Sequence, residues 1–161
     1  MKESTQIALS LLRSQTSKAN SLEFDKLDFH VHVPAGAIPK DGPSAGTAMF
    51  LALASLIQGK SVSPKLALTG EITLRGSVLP VGGIKEKVIA AHRAGVEVIL
   101  LPERNEADLR DVPEEVKTQL KFHFIKEIAQ VLKIAGLEGI TWGAIPVSSA
   151  LLPSSNQPPC H

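Results

Sequence analysis

Four short stretches of this chain carry residue types that can do chemistry. The first is PKDGPSAG, in which Ser44 follows a loop rich in glycine and proline and precedes a long apolar run. A serine there has three readings: it caps a helix, it helps hold a phosphate, or it attacks a carbonyl. Glycines beside it permit close backbone approach of a ligand. N–H groups at a helix start present partial positive charge, which suits a phosphate or the oxyanion of acyl transfer. The loop by itself leaves all three readings open.

The second stretch is GGIKEKVIAAHRAG. At 100° per residue, Ile84, Val88, Ala91 and Ala94 form one apolar stripe. Lys87 falls within it, whereas Lys85 falls on the opposite side with His92, and Ile89 breaks the pattern. A lysine on an apolar stripe is disfavoured in its charged form, so its pKa falls. A neutral amine can take the proton of a serine hydroxyl, which links the second stretch to the first.

The third stretch, TGEITLRG, places Thr69 and Glu71 two residues apart, on one face if the strand is regular. The Thr69 hydroxyl is a candidate to orient the lysine amine. The fourth, LDFHVHV, puts His30 and His32 on one strand face. Two histidines without a third ligand nearby make a poor metal site, and they read as polar surface residues. No metal is assigned.

These residues need elements to hold them. Residues 2–13 have helical spacing of apolar side chains, and Ser44 to Ile57 reads as a buried helix. Leu27–Val33 alternates as a half-buried strand. Leu66–Leu74 reads as a strand with Gly70 as a bulge or close backbone approach. VLPV reads as a short strand, and Gly82-Gly83 introduces a helix that Gly95 terminates. VEVILLP reads as a buried strand, ERNEADLRDV as a polar helix or turn, and Pro113 as the start of a short helix. KFHFI reads as a strand and KEIAQVLKIAG as a final amphipathic helix. From Thr141 the chain is rich in Pro and Ser and its only ionisable side chains are Cys160 and His161. That composition predicts a disordered tail over 140–161 after a folded domain over 1–139.

Composition bounds the function. With 161 residues and 43% hydrophobic content, one domain with a real core is expected. Lys plus Arg is 17 and Asp plus Glu 16, so charge gives no argument for nucleic acid or an anionic membrane. The single cysteine permits no intrachain disulfide. No apolar run has the length of a membrane span, and the first residues do not read as a secretory signal.

Taken together, HVHVPAGAIPKDGPSAGTAM, LALTGEITLRGSVLPVGGIKEKVIAAHRAG and ILLPERNEADLRDVP resemble the proteolytic domain of Lon proteases, ATP-dependent serine endopeptidases, from about Lys2 to about Ala135. The resemblance implies a Ser–Lys dyad, with Ser44 as nucleophile and the second lysine of GGIKEK, Lys87, as base. It implies that Thr69 helps hold that lysine and that Glu71, His30, His32 and Asp41 surround the active site. Backbone N–H groups of Ser44 and Ala45 would form the oxyanion hole, and the peptide chemistry would need no metal.

The same resemblance implies an α+β fold of the ribosomal S5 domain 2-like type, here lacking its first strands. It also implies a hexameric ring acting on unfolded or damaged proteins, in the cytoplasm or the mitochondrial matrix. ATP and Mg would be needed by an AAA+ module that normally shares the chain; no G-x-x-x-x-G-K-[ST] loop occurs here. The sequence is thus expected to be the C-terminal piece of a longer parent. Two other readings compete with a peptidase: a non-catalytic Lon-like accessory or assembly domain, and a phosphate-binding small-molecule kinase of related fold. Neither needs both Ser44 and Lys87.

Overall fold

A computed structural model describes residues 2–16, 26–32 and 42–137. Helix α1 (Lys2–Thr16) buries Ala8, Leu11 and Leu12. These lie at the i, i+3, i+4 spacing that makes one apolar face. That face packs on α2 (Gly46–Gln58), which buries Phe50, Leu51, Leu53, Ala54 and Ile57. The α2 sequence is apolar nearly all round, yet Leu56 is 64% exposed, so one side of the helix faces out. Gly59 ends α2 in the left-handed region, φ 62°, where its N–H closes on Leu56 and Ser55 carbonyls.

Three parallel strands form the central sheet: β1 (Leu66–Leu68), β4 (Val98–Pro102) and β5 (Lys121–Ile125), in the order β1-β4-β5. Leu66 pairs with Val98, and Val98 with Lys121. Between β1 and β4 lie an antiparallel hairpin, β2 (Glu71–Ile72) with β3 (Val78–Leu79), and helix α3 (Ile84–Arg93). Between β4 and β5 come a 3-10 segment, Glu103–Asp111, and α4 (Glu114–Thr118). Helix α5 (Ile128–Ile134) closes the described part, its start locked by a capping box between Glu127 and Gln130.

Side-chain alternation explains the layering. In β4, Leu100 enters the core made with α1, α2 and α5, while Ile99 and Leu101 enter a second core with Ile84 and Val88 of α3, Val112 and Leu120. In β5, Ile125 joins the first core, and Phe122 and Phe124 pack against the second. A parallel sheet covered on both faces requires strands that are apolar on both sides, as VILLP is. The result is a mixed α/β arrangement.

Two expected strands differ. Residues 27–32 are not part of any β-ladder. Leu27 and Phe29 are half-buried and Asp28 and His30 exposed, so the alternation persists that far, but Val31 is 37% exposed. Alternation reports which side of an extended segment is covered; a strand also needs a paired neighbour. The segment 66–74 breaks in two at Thr69-Gly70, because the backbone there bonds to the start of α2. The Gly70 N–H donates to Ser44 O (2.9 Å), and Thr47 N–H donates to Gly70 O (3.1 Å). Thr69 and Glu71 therefore do not share one regular strand face. The tail expected over 140–161, Val33 and Asp41 lie outside the described residues.

Candidate active site

Ser44 sits in a turn two residues before α2. The N-cap position belongs to Ala45, and no side chain caps the helix. Capping is thus not what the serine does. Its carbonyl oxygen is tied down instead, by Gly70 N–H (2.9 Å) and by the Thr69 hydroxyl (3.2 Å). Gly46 matters for packing: a Cβ there would lie 3.0 Å from Ile72 N and 3.0 Å from Ile72 Cγ1. Only glycine lets the start of α2 sit this close to the β1–β2 connection. Gly46 N–H donates to Pro43 O and Thr47 N–H to Gly70 O. The N–H groups of Ser44 and Ala45 make no backbone hydrogen bond among the described residues.

Lys87 lies one turn into α3, whose N-cap is Gly83 at φ 71°. The helical wheel places Lys87 inward and Lys85 outward, and the structure has Lys87 half-buried and Lys85 exposed. The Lys87 amine donates to Gly82 O (2.9 Å) and to Thr69 Oγ1 (3.4 Å). The second contact is at the long end of a hydrogen bond. Burial pushes the Lys87 pKa below the ordinary lysine value, because the charged form loses hydration.

Thr69 therefore stands between the two. Its single proton goes to the Ser44 carbonyl, and its oxygen receives the lysine amine. Two cavities meet at this point. One, of about 280 Å³, is walled mostly by apolar side chains, including Ala48, Val88 and Ala91, with Ser44, Thr69 and Lys87 at its edge. The other, of about 370 Å³, is more polar and is lined by Gly42, Pro43, Glu71, Val81 and Gly82. Ser44 and Lys87 line both.

The structure thus brings Ser44, Ala45, Thr69, Glu71 and Lys87 to one place. It does not bring His30 and His32 there: both are exposed and neither lines these cavities. Asp41 lies outside the described residues. Among the described residues, no group of three or more His, Cys, Asp or Glu side chains could hold a metal ion. No helix is long and apolar enough to cross a membrane among those residues.

Two parts of the site escaped the sequence reading. One is the Gly82 carbonyl, a backbone group whose acceptor role no residue type announces. The other is Asn105, the one buried residue of the 3-10 segment, whose side chain bonds to both backbone groups of Val81. ERNEADLRD is polar almost throughout, so nothing in its pattern separates Asn105 from its solvated neighbours.

The family model of the Lon protease (S16) C-terminal proteolytic domain matches residues 1–138. "Lon protease 1" of Bdellovibrio bacteriovorus is 62% identical over 135 residues, which is 83% of this chain and 17% of that protein. "Lon protease" of Methanosarcina barkeri is 55% identical over 162 residues, covering 100% of this chain and 20% of its own length. "Lon protease" of Desulfosudis oleivorans is 57% identical over 137 residues, 84% of this chain and 17% of that protein. The chain thus spans no more than about a fifth of the length of these relatives. With its loop serine, half-buried lysine and intervening threonine all inside the matched segment, the chain belongs to the Lon protease (S16) C-terminal proteolytic domain family.

Proposed function

We propose that this chain is the peptide-hydrolysing part of a serine endopeptidase, with Ser44 as nucleophile and Lys87 as general base. The observation that carries the reading is the sharing of both cavities by Ser44 and a half-buried lysine whose pKa is lowered by burial. A lysine of ordinary pKa is almost wholly protonated near neutral pH and cannot act as a base. Desolvation raises the neutral fraction.

In the proposed reaction, the Ser44 hydroxyl oxygen attacks the peptide carbonyl carbon while the Lys87 amine accepts the hydroxyl proton. The carbonyl oxygen becomes an oxyanion, held by the N–H groups of Ser44 and Ala45, which make no backbone hydrogen bond among the described residues. The C–N bond then breaks, and the Lys87 ammonium returns the proton to the departing amine. Water, deprotonated by the same lysine, attacks the acyl ester; the C–O bond to Ser44 breaks and the Lys87 ammonium gives the proton to the Ser44 oxygen. The Lys87 amine rests on Gly82 O and Thr69 Oγ1 rather than on Ser44, so it must swing toward the hydroxyl on its flexible stem. Catalytic hydrogen bonds are commonly long until substrate binds. Glu71 lines the polar cavity with Ser44 and Lys87 and is part of the proposed surroundings of the site.

The ribosomal S5 domain 2-like fold belongs to the same proposal, supported by the family match and by the parallel sheet with its attached hairpin. So do the hexameric ring, the unfolded protein substrates and a cytoplasmic setting. On the same reading, ATP and Mg would serve an ATPase module outside these residues. The test is hydrolysis of an unstructured protein and a short fluorogenic peptide by this chain, by Ser44→Ala and by Lys87→Ala, with size-exclusion chromatography alongside. Loss of hydrolysis in both variants, at unchanged elution, is expected; hydrolysis that survives either substitution would overturn the dyad.

A further inference from the structure

Asn105 is only 4% exposed, and its amide is fully engaged at three points. Its Oδ1 accepts the Val81 N–H at 3.0 Å, and its Nδ2 donates to Val81 O at 2.9 Å. Nδ2 also donates to Asp108 Oδ2 at 2.6 Å. A carboxylate only accepts, so Asp108 fixes which end of the amide is which. The side chain thus holds both backbone groups of one residue, as a neighbouring strand would, two residues beyond the end of β3.

The held residue is next to the site. Val81 lines the polar cavity together with Ser44 and Lys87. Gly82, which follows it, supplies the carbonyl that receives the Lys87 amine at 2.9 Å. Gly83 then opens α3, which carries Lys87. A run of glycines has no side chain with which to fix itself, so its position depends on what grips either end. At one end the grip is α3; at the other it is Asn105.

Resting on the Ser44–Lys87 reading, we infer that Asn105 is a positioning residue: by clamping Val81 it holds the Gly82 carbonyl, and through it the Lys87 amine, at the wall of the Ser44 cleft. It touches neither Ser44 nor Lys87 in any hydrogen bond. Without the clamp, the Pro80–Gly83 segment relaxes, the lysine gains water, and its amine spends less time as a base.

The test compares the 161-residue chain with Asn105→Ala and Asn105→Asp. The aspartate keeps the side-chain volume and the acceptor for Val81 N–H, and loses the donors to Val81 O and to Asp108. Circular dichroism selects folded variants, and Asn105→Asp carries the test if the alanine variant does not fold. Two quantities are read: kcat and KM on a fluorogenic peptide, and the pH midpoint for trace acylation of the Lys87 amine by acetic anhydride. Lys85, exposed on the same helix, is the internal standard. Among the described residues, the charged side chain that lines the polar cavity with Lys87 is Glu71; Glu86, on its own helix, is exposed.

The expected result is a kcat lower by about tenfold or more with KM within about threefold, and a Lys87 midpoint raised toward the Lys85 value. A strut that only stabilises the fold leaves the midpoint of the folded protein where it was. A parent-like Lys87 midpoint in a folded variant therefore overturns the inference, whatever happens to kcat. If Ser44→Ala or Lys87→Ala hydrolyses peptide as well as the parent, the dyad reading falls, and the acylation midpoint still decides separately whether Asn105 holds the lysine.

Discussion

The Thr69 hydroxyl lies 3.2 Å from the Ser44 carbonyl oxygen and donates its proton there, which leaves its own oxygen free to accept the Lys87 amine at 3.4 Å. One side chain thus holds both the backbone of the proposed nucleophile and the resting place of the proposed base. Thr69→Val keeps the shape and removes both hydrogen bonds; Thr69→Ser keeps both and loses a methyl. A hydrogen bond to a charged group contributes about 1.5–3 kcal/mol, so kcat for peptide hydrolysis is expected to fall about 10- to 100-fold in Thr69→Val. KM is expected to stay within about threefold, and Thr69→Ser to retain most activity. Steady-state kinetics on a fluorogenic peptide checks both.

The lowered pKa of Lys87 has two signed consequences. Lys87 in its proposed role as base must be neutral, so kcat/KM is expected to rise with pH along a limb whose midpoint lies below 10.5, the ordinary lysine value. Lys87→Arg, always charged, is expected to be inactive across that range. For stability, the native state gives up the lysine proton more readily than the unfolded chain does. The unfolded chain therefore binds more protons between the native midpoint and 10.5, and stability rises with pH through that window. Below the window the desolvation cost of the charged amine is present in full; above 10.5 it is absent. Urea unfolding of the parent and of Lys87→Met at several pH values measures this. The methionine variant is expected to gain most at the low end, by a small amount, since the amine is only half-buried.

How far the sequence reveals this depends on the kind of signal. The α3 wheel places Lys87 on its apolar face because helical periodicity is local and Val88 packs fully against Ile99 and Leu101. VILLP reads as a buried strand because a sheet covered on both faces leaves no polar position. LDFHVHV carries a strand pattern, but pairing is a property of two segments, and one segment cannot show it. The break at Gly70 is likewise non-local: it follows from hydrogen bonds to Ser44 and Thr47, more than 20 residues away. Motif resemblance names Ser44, Thr69 and Lys87 together. Asn105 stays hidden, because its role depends on Val81 lying opposite it.

Ser44→Ala separates the two roles a serine can play at a helix start. Loss of an N-cap hydrogen bond costs about 0.5–2 kcal/mol. The N-cap here is Ala45 and has no side-chain partner, while Ser44 contributes its carbonyl, which alanine retains. Ser44→Ala is therefore expected to leave stability within about 0.5 kcal/mol of the parent while abolishing peptide hydrolysis. Urea denaturation beside the activity assay decides it. A stability loss of cap size with activity kept would mean that the serine serves the helix.

Gly46 and Gly70 test the joint that carries Ser44. A Cβ on Gly46 would come within 3.0 Å of the Ile72 backbone nitrogen, which cannot move without breaking the β2–β3 pairing at Ile72 and Val78. A Cβ on Gly70 would lie 2.9 Å from Val78 Cγ1 and 3.0 Å from Thr47 Cγ2, both ends of side chains in packed surroundings. Overpacking of this kind costs about 1–3 kcal/mol. Gly46→Ala is expected to fall at the upper end, because backbone must give way, and Gly70→Ala lower if Val78 turns to another rotamer. The activity effect should exceed what stability alone explains in both. Each substitution pushes apart the Ser44–Thr47 and Thr69–Ile72 segments, and with them the Ser44 carbonyl from the Thr69 hydroxyl. Thermal denaturation combined with the rate of Ser44 labelling by a fluorophosphonate, taken well below the midpoint of unfolding, separates the two. A variant that is destabilised yet labelled at the parent rate would show that the joint supports the fold without setting Ser44.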